Sequence, residues 1–308
     1  MRKILPIVLL LSLLMGCAAS EPCAQQTVFC MDTVMDIQIW GNDRQQALED
    51  VVQMLQRLEK TWSATDETSL LSALNRGEGS PDSAQQALLD QALALQEKTG
   101  GAFDPKLGSV IALWGFYDDS HQVPGSGELE KANLEEKWDL GAIVKGYAGS
   151  QIAKLLESYD VDRAIVNLGG NVQTYGNKPD GQKWKVGIQN PEGGDALGVL
   201  SVSGSMAVVT SGDYQRYFEK DGVRYHHILS PETGLPADSG LRSVTVICAD
   251  GTMADALSTA LFVMGLEEAC AFWRANRDFE AVFLLTDGSI YATEGVSLSG
   301  CAYEVILS

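Results

Sequence analysis

Apolar residues recur along this chain with two distinct periods. Ala47, Val51, Leu55, Leu58 and Trp62 follow the spacing of one helix face, with Asn42 placed to cap that helix. A second helix is predicted over Ser83–Lys98, stopped by Gly100-Gly101. Asp36-Ile37-Gln38-Ile39-Trp40 instead alternates polar and apolar residues, as a half-buried strand does, inside a strand region at 28–40. These stripes describe core packing rather than chemistry.

The middle of the chain is strand-rich. Short apolar runs at 163–168, 184–188 and 207–210 are bounded by glycines or prolines. Asp221-Gly222 separates Tyr217-Phe218 from Tyr225-His226, a strong hairpin-turn signal, and Asp287-Gly288 separates 282–285 from Ile290-Tyr291. Hairpins mixed with helices, without regular strand–helix alternation, predict an α+β fold with mixed, largely antiparallel strands. No repeat, low-complexity tract or long linker is visible.

The ends change the picture. Met1-Arg2-Lys3 precedes a short apolar run that stops at Gly16-Cys17, too short for a membrane span and typical of an export signal. Leu14-Met15-Gly16-Cys17 resembles a bacterial lipobox, although Met15 stands where a smaller residue is usual; an ordinary signal cleaved near Ala18-Ala19-Ser20 is the alternative. The expected organisation is a lipoprotein signal at 1–16, lipidated Cys17 opening a tether at 17–27, and one large domain at 28–308. The protein would then be exported and lipid-anchored on the outer side of a bacterial membrane, held by its acyl chains.

With 45% hydrophobic residues the chain can build a sizeable core. Its formal charge of −19 argues against nucleic-acid partners and requires cations or local donors wherever phosphate binds. Apart from Cys17, five cysteines remain, an odd number that excludes a complete disulfide framework within one chain. No Cys-x-x-Cys spacing occurs, and His121, His226 and His227 are the only histidines, so a structural zinc site is not expected.

The chemistry gathers at Asp255-Ala256-Leu257-Ser258-Thr259. On a helix, Asp255, Ser258 and Thr259 project toward one side, and an apolar run then leads to Gly265, expected to end the helix. One carboxylate with one or two hydroxyls suits a hard cation that keeps open positions for water and phosphate. A first-turn Asp with back-bonded Ser and Thr is the bland alternative. A second segment, Asp139-Leu140-Gly141-Ala142-Ile143-Val144-Lys145-Gly146-Tyr147, leads into a helix carrying Ile152, Leu155 and Leu156. It could cradle phosphates with backbone N–H groups and Lys145, or could be a plain helix entry; it is neither a Walker loop nor a dinucleotide fingerprint.

Further motifs follow in order: Met31-Asp32-Thr33, Ser69 to Asn75, Thr99-Gly100-Gly101-Ala102-Phe103-Asp104-Pro105 and Leu113-Trp114-Gly115-Phe116. After the 139–147 segment come Asn167-Leu168-Gly169-Gly170-Asn171, Thr210-Ser211-Gly212, 225–236 and 254–261. Over nearly the whole mature chain this series resembles the ApbE family, the FAD:protein FMN transferases. The resemblance implies Mg²⁺-dependent cleavage of FAD, transfer of FMN to a threonine or serine hydroxyl of an extracytoplasmic acceptor protein, and release of AMP. It implies metal ligation by Asp255, Thr259 and the Val144 carbonyl, with Ser258 a further oxygen. It places flavin contacts at Met31, Thr65, Ala102, Phe103, Asp104, Gly141, Tyr147 and His227. Thr65 replaces a frequent aromatic, while Asn171 and Ser230 each replace a frequent Asp.

Beside that resemblance, Lys145 and Mg²⁺ are expected to offset the FAD phosphates, and Asp255 and His227 to carry the catalysis. His227 is the candidate proton acceptor, with a structural histidine beside the Pro-Glu-Thr-Gly turn as the alternative. Strand alternation should let only one of His226 and His227 face a pocket. Two other readings remain: an FAD pyrophosphatase in which water replaces the acceptor, and a non-catalytic FAD-binding lipoprotein. Peptidoglycan or adhesion binding has only the anchor in its favour.

Overall fold

The computed structural model describes residues 21–118 and 120–308. The export signal and Cys17 lie outside the described residues. Strands β1 (Cys23–Cys30) and β2 (Thr33–Gly41) form an antiparallel hairpin through a tight turn at Met31-Asp32, both with positive φ. The tether expected to run to residue 27 therefore ends earlier, because residues 23–27 pair with 36–40 of β2. Gln25, Gln26 and Thr27 are exposed on this edge strand, which left no hydrophobic alternation to read.

Helix α1 (Arg44–Trp62) carries the expected stripe, with Ala47, Val51, Leu55 and Trp62 buried. Asn42 does not cap it. The Asn42 amide donates to Asp160 Oδ2 at 2.7 Å, and Asp43 accepts the Asp160 backbone N–H at 2.9 Å, so both side chains are committed to the neighbouring turn. Next come α2 (Leu70–Asn75) and α3 (Ser83–Lys98), the latter opened by an Asp82–Gln85 capping box. Helices α4 (Gly108–Trp114), α5 (Ser126–Asn133) and α6 (Val144–Leu156) follow.

The remaining strands are β3 (Val161–Leu168), β4 (Val172–Tyr175), β5 (Trp184–Ile188), β6 (Gly198–Val202) and β7 (Ala207–Gly212). After them come the hairpin β8 (Tyr217–Lys220) and β9 (Val223–His226), then β10 (Leu241–Cys248) and helix α7 (Gly251–Asn276). Strands β11 (Glu280–Leu285), β12 (Ile290–Thr293), β13 (Leu298–Ser299) and β14 (Glu304–Ile306) close the chain.

One nine-stranded sheet organises the fold, in the order β1-β2-β3-β4-β7-β10-β11-β12-β14. Its pairings are antiparallel except β12 with β14. The fold is thus α+β with largely antiparallel strands. Near its β1 edge the sheet is covered on one face, and β2 alternates buried Met35, Ile37 and Ile39 with more exposed Val34, Asp36 and Gln38. Around β10 both faces are covered. Val244 and Val246 pack on α7, while Ile247 meets a second layer built from β5, β6 and β13, so the strand reads as an apolar run.

Helices α6 and α7 pack side by side on the first face. Gly265, expected to end the second of these, interrupts it instead: at φ 76° and ψ 172° it breaks the helical geometry, and the helix resumes to Asn276. A non-glycine residue would be strained at that φ. The half before Gly265 carries Asp255 and Thr259 toward the cleft.

Candidate active site

A cleft of about 800 Å³, within the usual range for a small-molecule site, opens where several connections converge. Its walls come from the β1–β2 turn, the end of α1, the loop after α3, the entry to α6, the β3–β4 turn, β7, and the segment after β9.

At the floor, Asp255 is buried to 4% exposure and its Oδ2 accepts the Gly146 backbone N–H at 2.7 Å. This bond exists because α6 and α7 meet at two glycines. A Cβ on Gly146 would stand 2.0 Å from the Gly251 carbonyl oxygen, and one on Gly251 would stand 2.5 Å from the Gly146 oxygen. Burial pushes the Asp255 carboxyl pKa up, against the lowering effects of the Lys145 charge, the Gly146 N–H and Asn171. A carboxylate in this position gains from a cation.

Thr259, one turn further on, also lines the cleft, and its hydroxyl is ordered by a relay. Ser258 Oγ donates to the Asp255 carbonyl at 2.8 Å, and Ser211 Oγ lies 2.8 Å from Ser258 Oγ and 3.2 Å from Thr259 Oγ1. With the Ser258 proton committed, Ser211 donates to Ser258 and accepts from Thr259, which leaves Thr259 lone pairs free for a cation. Ser258 itself is fully buried and does not line the cleft, so of the two hydroxyls expected among the metal oxygens the structure brings only that of Thr259 to the cleft. At about 100° per residue, i+3 falls roughly 60° short of alignment with Asp255, whereas i+4 overshoots by only about 40°. Val144 and Lys145, the first residues of α6, line the same wall.

The flavin-contact candidates mostly converge here. Met31, Thr65, Ala102, Phe103, Asp104, Gly141 and His227 all line the cleft. Tyr147 does not. It is half-buried in the apolar cluster between α3 and the α6 entry, one turn beyond Val144 but rotated toward Asp82. Asp104 has its pKa raised by burial and accepts the Lys106 N–H at 2.8 Å. Asp139 spans two partners, accepting the Gly141 N–H at 2.9 Å and the Tyr117 hydroxyl at 2.6 Å. Behind this turn, the Asn75 side chain holds both backbone groups of Trp138, at 2.7 and 2.9 Å.

His227 follows directly on β9 and faces the cleft, whereas His226 is buried edge-on to Phe262 at 5.5 Å. His227 Nδ1 lies 3.1 Å from the Arg216 carbonyl. A carbonyl only accepts, so Nδ1 carries the proton and Nε2 is left as a proton acceptor. Burial pushes the imidazolium pKa down to about 3, and the Lys145 and Arg216 charges add to this, so the ring is neutral at pH 7.

The ApbE family matches residues 31–283. The chain belongs to the ApbE family. Among curated relatives, a protein of Treponema pallidum named FAD:protein FMN transferase is 38% identical, covering 81% of this chain and 80% of its own. A transferase of the same name from Klebsiella pneumoniae is 33% identical over 78% of this chain and 82% of its own. The ApbE protein of Thermotoga maritima superimposes with a TM-score of 0.82 at 34% identity, covering 89% of this chain and 97% of its own. A histidine-to-glycine variant of flavin transferase ApbE from Vibrio cholerae gives a TM-score of 0.78 at 27% identity, covering 89% and 98%.

Within this ApbE fold, sequence reasoning passed over several side chains. Glu59 accepts the Met31 N–H at 2.7 Å and lines the cleft. Arg216 lies 3.5 Å from Asp32 across the mouth. Asn75 and Ser211 stood inside the quoted motifs, but their spacing gave no sign of the partners they hold.

Proposed function

We propose that this protein is an FAD:protein FMN transferase that requires magnesium, releases AMP, and works on an extracytoplasmic acceptor from a lipid anchor at Cys17. The observation that carries the reading is the pairing, in one cleft, of buried Asp255 and ordered Thr259 with a neutral His227 whose Nε2 is free.

The donor set fits a hard divalent cation. Asp255 supplies charge, Thr259 a lone pair, and the Val144 carbonyl is the backbone ligand the family resemblance implies. A bound magnesium ion would supply Lewis-acid stabilisation of phosphate charge. The protein's own residues do the rest. Lys145 brings positive charge to the dinucleotide phosphates, and Asp104 and the Asp139–Gly141 turn shape the flavin end. His227 Nε2 takes the proton of the acceptor hydroxyl as its oxygen attacks the FMN phosphorus. The new bond joins the acceptor oxygen to that phosphorus; the bond that breaks is the pyrophosphate bridge, and AMP leaves with its electron pair. The bridging oxygen then recovers a proton from His227 or solvent.

Hydrolysis differs only in the nucleophile, so the discriminating experiment supplies FAD and Mg²⁺ with and without a protein acceptor. The transfer reading expects flavin that stays with the acceptor through denaturing gel electrophoresis, together with AMP. Free FMN alone in both reactions would favour a pyrophosphatase, and intact FAD a binding protein.

A further inference from the structure

We propose that the outer edge of β8 is where the acceptor docks, as an extended segment that adds a third strand to the β8–β9 hairpin and feeds its hydroxyl into the cleft. This rests on the transfer reading.

The register of the hairpin defines the edge. Lys220 and Val223 flank the two-residue Asp221-Gly222 turn as a pair, so they exchange ladder hydrogen bonds. The next pair, Glu219 and Arg224, turns its N–H and C=O groups outward, the pair Phe218 and Tyr225 inward, and Tyr217 and His226 outward again. The His227 N–H to Arg216 carbonyl bond, at 3.1 Å, continues this alternation. Among the described residues the hairpin pairs with no third strand.

Its two edges differ. On the β9 side His226 is buried, and Ala237 donates to the Ile228 carbonyl at 3.0 Å, so the chain covers that edge near the cleft. On the β8 side Tyr217 and Glu219 are exposed, Tyr217 at 41%, and they offer backbone donors and acceptors to an incoming strand. Unpaired edges of this kind recruit extended chains, and natural proteins usually blunt them unless they are used.

The occupant follows from where the edge leads. Residues preceding Tyr217 are Arg216 and Gln215, which line the cleft, and the Arg216 carbonyl holds His227. A segment paired with Tyr217 and Glu219 therefore continues directly to the proton acceptor. The acceptor reaction demands such an arrival, whereas FAD has no use for a backbone edge. Charge permits it: Lys220 and Arg224 offset Glu219 and Asp221, which makes the hairpin locally neutral on a protein of net charge −19.

Glu219→Pro removes one outward N–H without touching a backbone bond of the hairpin, and Glu219→Ala keeps that N–H while losing the same 3.4 Å side-chain contact to Arg224. The probe is a soluble acceptor domain labelled by the Vibrio cholerae transferase, offered at graded concentrations with FAD and Mg²⁺. Glu219→Pro should raise the acceptor KM at least tenfold while leaving FAD affinity unchanged, and Glu219→Ala should behave as wild type. Hydrogen exchange on the wild-type protein should show the Tyr217 and Glu219 amides slowing when the acceptor is added. Equal acceptor KM values for the two variants, or no slowing at either amide, would overturn the docking site. Failure of the wild-type protein to label the domain would instead reject the transfer reading on which it rests.

Discussion

The Gly146 backbone N–H donates to Asp255 Oδ2 at 2.7 Å across a crossing so tight that a Cβ on Gly146 would lie 2.6 Å from the Asp255 Cβ. Helix packing and carboxylate orientation are therefore one feature. Gly146→Ala forces the α6 and α7 backbones apart at Gly251, and overpacking of this kind costs about 1–3 kcal/mol. The expected result is an earlier urea midpoint and a weaker response to Mg²⁺. An unchanged midpoint would show that the crossing relaxes freely.

Asp255 separates function from stability. Its carboxyl pKa is raised by burial, so the folded protein binds more protons than the unfolded chain between the ordinary carboxyl value and the raised one. Stability from this group is complete at low pH and falls as pH rises through that window. Asp255→Asn should then unfold no earlier than wild type in chelator at pH 7, yet lose metal-dependent FAD cleavage. A markedly lower urea midpoint for Asp255→Asn would contradict the burial argument.

Ser211 tests the hydroxyl relay. Ser211→Ala removes the partner of both Ser258 and Thr259, while Asp255 keeps its Gly146 bond. Removing a group that orients a ligand typically costs 10–100-fold in metal affinity or activity. The Mg²⁺ concentration for half-maximal FAD cleavage should rise about tenfold at least, and no change would detach Ser211 from the site.

His227→Ala should slow transfer by about 10²–10⁴-fold and leave FAD affinity largely intact. Its pH signature is equally specific. With a folded-state value of about 3 against an ordinary 6.5, His227 releases protons on folding, so its contribution is complete above 6.5 and lost as pH falls toward 3. Single-turnover transfer should show no acid limb near 6.5 attributable to this ring. A limb there that disappears in His227→Ala would contradict the neutral, carbonyl-held imidazole.

Cys17→Ser should abolish incorporation of labelled palmitate and leave the protein unprocessed or mislocalised. Continued acylation of that variant would remove the lipid anchor from the proposal.

What was legible in the sequence was local. The Ser83–Lys98 helix and the Asp221-Gly222 and Asp287-Gly288 hairpins carry their own signals, in the Gly100-Gly101 stop and in turn residues. The edge strand at 23–27 did not, because a strand exposed among polar residues has no apolar alternation to betray it. Asn42 looked like a cap because side-chain type cannot tell a helix start from a turn 118 residues away. In the site, Asp255 and Thr259 were readable from helical spacing, which also turns Ser258 aside, whereas the turn of Tyr147 away from the cleft depends on how α6 packs against α3. Glu59 and Asn75 act through backbone partners at Met31 and Trp138, and Arg216 through Asp32, pairs far apart in sequence that no spacing along the chain encodes.

The most direct test of transfer is the intact mass of a purified acceptor after incubation with FAD, Mg²⁺ and this protein. One added FMN phosphoester on a threonine or serine is expected, absent with Asp255→Asn and strongly slowed with His227→Ala. An unmodified acceptor alongside free FMN and AMP would contradict transfer.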